Sequence, residues 1–347
     1  MMTPGAAVRR SFTGRLRVDA RFLGILSALI VLTLMVGAFQ VSYGDYPIPI
    51  LEVWRMLLGL GGEDTTQVTV IWMFRVPRIA LAILVGSALS VAGAIMQGLT
   101  RNSLAAPDIL GVSAGAAGAV IGWLIIAPGS VFAFRPLAAF FGGMATAILI
   151  YFLAWRGGAS PLRLILVGIG IGALTSTVSS LVLLIGEYEA QRNMMVWLSG
   201  RVSITNWDQI RLLTVWTATL IGATTLFARH LNTISLGQEV ATGLGVPFQL
   251  MQVLFAAISV ALAAGTVAIA GLIGFVGLMG PHIARRLVGG QNARVVPTAA
   301  LTGGVLVLAA DLLGRLVGGT SEVPAGIITS VIGAPIFFLL LARGMRF

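Results

Sequence analysis

Residues 240–284 read VATGLGVPFQLMQVLFAAISVALAAGTVAIAGLIGFVGLMGPHIA, 45 residues without a single Asp, Glu, Lys or Arg. About 20 apolar residues suffice for a helix to cross a hydrocarbon core about 30 Å thick. The stretch is therefore long enough for two passes, and the run Gly265 to Gly271, with Pro281 beyond it, supplies a place to turn. Eight further charge-free stretches accompany it: 22–44, 79–100, 109–134, 136–155, 164–186, 212–228, 295–310 and 323–342. Each is read as one pass, so the expected fold is all-α and polytopic, with about ten transmembrane helices.

Composition agrees. Of 347 residues 57% are hydrophobic and only 10% charged, whereas a soluble domain carries about 25% charged residues. All 22 basic residues are Arg. The absence of Lys excludes a phosphate-loop lysine and a Schiff base, so the chain is not expected to hydrolyse ATP by itself and is not expected to be an enzyme. There is no Cys, and His230 and His282 are the only histidines, so neither a thiolate nor an imidazole metal site is expected. In such a chain the net charge of +10 reflects membrane orientation and lipid headgroups rather than nucleic acid.

Ten passes place both termini on one side. Arg9, Arg10, Arg15, Arg17 and Arg21 precede the first span, which predicts cytoplasmic termini by the positive-inside bias. Counting loops alternately leaves 14 arginines inside and 8 outside, among them Arg75, Arg78 and Arg315. The expected organisation is a cytoplasmic segment 1–21, one transmembrane domain 22–342 and a cytoplasmic tail 343–347. The outer loop 43–70 carries Ile50, Val53, Trp54, Leu57 and Leu58 at helical spacing after Pro49, which predicts a short interfacial helix.

Few residues within the spans carry chemistry. Asp311 is the one carboxylate expected inside a span; Arg315 is four residues on, on the same face, and is its expected partner. So few membrane acids argue against proton coupling and for energy supplied from outside the membrane domain. Thr175 and Ser179 share one helix face, and Ser176 and Ser180 a neighbouring one. They could line a solute path, or each hydroxyl could bond back to its own helix. The inside loop 230–246, HLNTISLGQEVATGLGV, reads as two short helices broken by glycine, either a partner-docking surface or an ordinary interfacial loop.

Several strings resemble the permease subunits of ATP-driven importers for ferric siderophores, haem and cobalamin. They are Arg75-Val76-Pro77-Arg78, the glycine-rich approach to Met96-Gln97, and Arg101-Asn102-Ser103-Leu104-Ala105. The most specific is Gly274-Phe275-Val276-Gly277-Leu278 followed by Pro281-His282 and Arg285. Asp311 to Arg315, Glu322, Pro324, Gly326 and Gly333-Ala334-Pro335 complete the pattern. The resemblance implies the type II importer permease fold in a bacterial inner membrane. It implies a second permease subunit, identical or paralogous, two copies of a cytoplasmic ATPase that carry the ATP and Mg, and a substrate-binding protein. No cofactor belongs to this chain itself. It implies that Leu236, Gly237, Glu239, Gly243, Leu244 and Gly245 form the ATPase-coupling loop and that Arg75, Arg78 and Arg315 meet acidic residues of the binding protein. The cargo it implies is a bulky metal chelate, first a ferric siderophore, with haem and cobalamin behind. An ion-coupled secondary carrier is the competing class, and His282 is expected to be structural rather than a ligand.

Overall fold

The computed structural model describes residues 19–44, 46–58, 65–126, 134–154, 161–185, 188–202, 206–319 and 322–342. Residues 1–18 and 343–347, and with them most of the expected terminal segments, lie outside the described residues, as do 59–64 of the outer loop.

The helices are α1 (Ala20–Ser42), α2 (Ile50–Leu57), α3 (Thr65–Thr69), α4 (Val76–Thr100), α5 (Val112–Ile126), α6 (Arg135–Ala154), α7 (Pro161–Ile185), α8 (Tyr188–Leu198), α9 (Trp207–Leu226), α10 (Ala228–Ile234), α11 (Gln238–Gly243), α12 (Phe248–Ala270), α13 (Val276–Val288), α14 (Asn292–Gly318) and α15 (Ala325–Ala342). A π-helical segment, Val70–Arg75, joins α3 to α4, and a 3-10 turn, Pro107–Leu110, leads into α5. Among the described residues there is no strand. Each expected pass has a helical counterpart, namely α1, α4, α5, α6, α7, α9, α12, α13, α14 and α15. Helix α2 occupies the place after Pro49 where the spacing predicts a short helix.

The 45-residue stretch does not divide into two full passes. Of the expected turn run Gly265 to Gly271, Gly265 lies inside α12, where a Cβ would come 2.9 Å from the Trp216 indole nitrogen. The chain breaks at the far end of that run, over 271–275, with Gly271 at φ 73° and Phe275 at φ 65°. Helix α13 then has only 13 residues, about 20 Å at 1.5 Å per residue, well short of a bilayer's hydrocarbon core. Pro281, expected near the turn, sits within α13. It lacks the N–H that would bond the Gly277 carbonyl. That carbonyl lies against α4, where a Cβ on Gly93 would be 1.7 Å from it.

Close backbone approach of this kind builds the centre. In a bilayer, small residues let helices pack where no hydrophobic force separates lipid from protein. A Cβ on Gly86 of α4 would lie 2.1 Å from the Gly303 carbonyl of α14, and one on Gly280 of α13 would lie 2.1 Å from the Ser90 hydroxyl. Helix α4 is thus held by α13 and α14, and Ser259 of α12 donates to its Ala92 carbonyl at 2.9 Å. Helix α5 packs on α6 through Gly115 and Gly142. Helix α1 is peripheral, buried only at Gly37, Ala38, Gln40 and Val41.

Contacts across the sequence define two ends. The Asp19 carboxylate pairs with Arg294 at 2.8 Å, and the Asn292 N–H donates to Asn232 of α10 at 2.9 Å. The start of α1, the start of α14 and α10 therefore share one end. The far end of α14 carries Arg315, next to Glu322 and to Arg78 at the start of α4. Helix α14 spans 27 residues between the two, about 40 Å.

Candidate functional sites at the two ends

At the Arg315 end, charged side chains from four parts of the sequence converge. Arg78 grips Asp311 with two bonds, Nη2 to Oδ1 at 2.8 Å and Nε to Oδ2 at 2.9 Å. Its Nη1 reaches Glu322 at 2.9 Å. Glu322 also accepts from Arg201 at 2.9 Å and faces Arg315 at 3.6 Å. Gln40 of α1 donates its amide to the same Asp311 carboxylate. Bidentate Arg–carboxylate pairs are among the strongest polar contacts a protein makes, and here one ties α1, α4 and α14 together.

Asp311 therefore does not pair with Arg315 as their four-residue spacing predicts. A guanidinium approaching from α4 can present a two-pronged face to the carboxylate, and Arg78 takes it. Arg315 turns outward, donating to the Gln40 and Tyr43 carbonyls at 3.3 and 2.8 Å, and sits 5.9 Å from the Tyr43 ring. Arg75 is buried and donates to the Val41 and Tyr46 carbonyls. Gly44 lies between both guanidiniums: a Cβ there would be 2.7 Å from Arg315 and 3.0 Å from Arg75. The three arginines singled out by the sequence thus meet at one end, and all three are largely engaged within the chain.

Of the other two participants, Arg201 was not singled out by the sequence and Glu322 appeared only as part of the C-terminal pattern. Arg201 has the most exposed guanidinium of the cluster, its side chain 40% accessible against 13% for Arg78 and 12% for Arg315. Glu322 is the hub, held at φ 29° by its three arginines. Its sequence signals were its place in the C-terminal pattern before Pro324 and Gly326 and its being an acid in a chain with 12 acids against 22 arginines. Burial pushes the Glu322 carboxyl up, but the hydrogen bonds and charges of Arg78 and Arg201 outweigh it and hold the group below the usual carboxylate range.

The opposite end has another character. Helix α9 ends at Leu226, and α10 follows at a bend of 61°. Leu231 and Ile234 of α10 and Ala241 of α11 are buried and anchor the loop to the bundle. Leu236, Val240 and Leu244 point the other way and are exposed by 61, 46 and 65%. Gly237, at φ 109°, makes the corner between the two helices, and a Cβ there would be 2.9 Å from the Arg101 guanidinium. Arg101 itself ends α4 in the left-handed conformation, so the tip of the central helix stands directly against the loop. Glu239 opens α11, Gly243 closes it, and Gly245 takes φ 78°.

The remaining motif residues act where α4 meets α13 and in the turn after α4. Asn102 accepts the Leu104 N–H at 2.9 Å and shapes the turn after α4. Gln97 is buried and donates to the Leu278 carbonyl at 3.4 Å. Arg285 donates to the Ala94 carbonyl at 3.4 Å, and His282 lies one turn of α13 beyond Leu278. The hydroxyls of α7 divide. Thr175 and Ser179 bond back to the carbonyls of Ile171 and Thr175 at 2.9 and 2.7 Å. Thr175 also packs toward Gly118 of α5. Ser180 bonds back to Ser176, and both are exposed. Thr175, Ser179 and Ser180 thus bond back to their own helix, and of the two faces the Ser176–Ser180 face is the open one.

A glycine-packed bundle with an ionic clasp at one end and an apolar loop at the other is the architecture of a polytopic membrane permease subunit. The chain belongs to the FecCD transport family, whose pattern it matches over residues 29–343. It is 37% identical over 326 residues to the iron(3+)-hydroxamate import system permease protein FhuG of Bacillus subtilis, covering 92% of this chain and 96% of that one. It is 37% identical over 320 residues to the achromobactin transport system permease protein CbrC of Dickeya dadantii, covering 92 and 90%. Among solved structures it resembles a metal-chelate type ABC transporter captured in an inward-facing conformation. That match has a TM-score of 0.82 at 29% identity and covers 92% of this chain and 99% of the other.

Proposed function

We propose that this chain is the permease subunit of an ATP-driven importer that moves a ferric siderophore into the cytoplasm by alternating access. The cargo reading rests on relatives named for ferric hydroxamate and achromobactin transport; haem and cobalamin are the alternatives within the same transporter type. Both termini and the α10–α11 loop face the cytoplasm, a reading supported by the excess of arginine on that side. Two copies of a partner ATPase bind there and carry the ATP and Mg. A second permease subunit, identical or paralogous, completes the path, with the open Ser176–Ser180 face of α7 turned toward it. A binding protein delivers cargo to the opposite end, where Arg75, Arg78, Arg315 and the more accessible Arg201 present excess positive charge to acidic side chains.

The observation that carries this reading is the exposed apolar trio on the coupling loop, Leu236, Val240 and Leu244. Apolar side chains at the headgroup level of a cytoplasmic face are best covered by protein, and the buried Leu231, Ile234 and Ala241 on the same loop transmit a push on it to the bundle. ATP-dependent closure of the partner can then select between two packings of the helices. The ion-coupled alternative needs a carboxylate free to titrate, and Asp311 is instead engaged by Arg78 and Gln40.

The test is uptake of a radiolabelled ferric hydroxamate by vesicles containing the permease, its ATPase and the binding protein. Uptake that requires internal ATP and the binding protein supports the proposal. Uptake driven by an ion gradient without the ATPase overturns it.

A further inference from the structure

The Asp19 end holds a second charged site that transport does not use. The first turn of α1, the last turn of α13 and the first turn of α14 enclose a cavity of about 370 Å³ lined by Asp19, Arg21, Phe22, Ile25, Arg286, Leu287, Val288, Gly289 and Arg294. Three guanidiniums and one carboxylate meet there. Asp19 is committed to Arg294 at 2.8 Å, and the Arg294 guanidinium lies 6.0 Å from the Phe22 ring. Arg21 and Arg286 are exposed and make no hydrogen bond or ion pair among the described residues. The cavity therefore carries a net charge of about +2, while its other walls are the apolar side chains of Phe22, Ile25, Leu287 and Val288.

We infer that this cavity binds the phosphodiester headgroup of an anionic phospholipid, with an acyl chain running down α1. Arginine pairs with phosphate through a planar fork of donors, and basic recesses between helices at the membrane surface are suited to such headgroups. A free phosphate ion would use the arginines but leave the apolar walls without a partner. A phospholipid satisfies both, because α1 exposes Leu23 beside the cavity and Ile30, Val31 and Leu34 further along. The lipid has a mechanical consequence. Helix α1 is peripheral, clasped to the bundle through Gln40–Asp311 at one end and Asp19–Arg294 at the other. A phosphodiester bridging Arg21 to Arg286 adds a second clasp between α1 and α13 at the Asp19 end.

The experiment uses the complete transporter, delipidated and titrated with phosphatidylglycerol, phosphatidylcholine or inorganic phosphate, with bound lipid counted by native mass spectrometry. Phosphatidylglycerol should bind in preference to phosphatidylcholine and raise the melting temperature, and inorganic phosphate at equal concentration should not. Neutralising both free arginines, Arg21→Gln with Arg286→Gln, should weaken phosphatidylglycerol about 30-fold, roughly fivefold for each charge at an anionic surface. The pair Arg21→Lys with Arg286→Lys keeps the charge and should retain most of the binding, which separates a charge effect from misfolding. Undiminished phosphatidylglycerol binding by the Gln pair, or equal binding of phosphatidylcholine, overturns the site. An equal effect of inorganic phosphate overturns the lipid in favour of a free anion. Lipid retention is read without transport, so this result is independent of which cargo the permease carries.

Discussion

The two ends of the bundle solve opposite problems. At the Arg78 end polar groups are abundant and bonded to one another: two carboxylates, three arginines and a glutamine from α1, α4, α14 and the segments flanking them share one network. At the α10–α11 end three large apolar side chains stand in the open. The first is a structure complete within the chain, with a charged rim left over for steering. The second leaves apolar surface that, in the proposed reading, the ATPase covers. Charges on a rim steer encounter and set register, whereas buried apolar anchors supply most of the affinity. The contrast therefore suits a transient delivery partner at one end and a permanent motor at the other.

The largest effect should come from breaking the clasp. Arg78→Ala leaves Asp311 buried and without its principal partner, so unfolding of the purified permease should be easier by about 3–5 kcal/mol. Replacing both partners, Arg78→Met with Asp311→Leu, should recover much of that loss. A recovery would show that the clasp fixes geometry more than it adds stability, sharpening the contrast between the ends.

Next in size is the apolar end. Leu236→Asp with Leu244→Asp should weaken ATPase binding by at least about 30-fold, the scale of a single interface hot spot near 2 kcal/mol. Both side chains are exposed, so the melting temperature of the permease alone should hardly change. Equal loss of stability and of binding would erase the distinction drawn here.

Smaller still, Arg201→Ala should cost less than about 1 kcal/mol of stability, since its side chain is 40% accessible and its pair with Glu322 is solvent-screened. Its effect should appear instead as slower association of the binding protein at low salt, where surface charge acts furthest.

The mildest prediction concerns pH. The Glu322 carboxyl is held below the usual range in the folded protein. Its contribution to stability is therefore full above the unfolded value near 4.3 and is lost only as pH falls through the lower folded value. Glu322's contribution to the melting temperature should stay constant between pH 7 and 5 and be lost below about pH 4, and Glu322→Gln should remove that acid limb.

What the letters revealed follows from which forces are local. Apolar run length located the ten longer helical segments, and glycines mark where backbones touch, as at Gly277 and Gly280. The half-length of α13 was hidden because a charge-free stretch looks the same whether it crosses the membrane twice or ends in a short helix. The approach of Gly93 to Gly277, 184 positions apart, sets the start of α13 against α4. The ionic site was legible as a set of arginines but not as a network. Spacing on one helix suggests Asp311 with Arg315, while the fork of Arg78 arrives from 233 residues away. Arg201 carried no pattern at all.

The contrast between the ends is tested most directly by proximity. The chain has no cysteine, so Leu244→Cys and Val317→Cys, both at exposed positions, can each be cross-linked singly in the assembled transporter. The account predicts that the cysteine at position 244 captures the ATPase and the one at 317 does not. An ATPase adduct at position 317, or none at 244 when that thiol reacts freely with a small reagent, would contradict it.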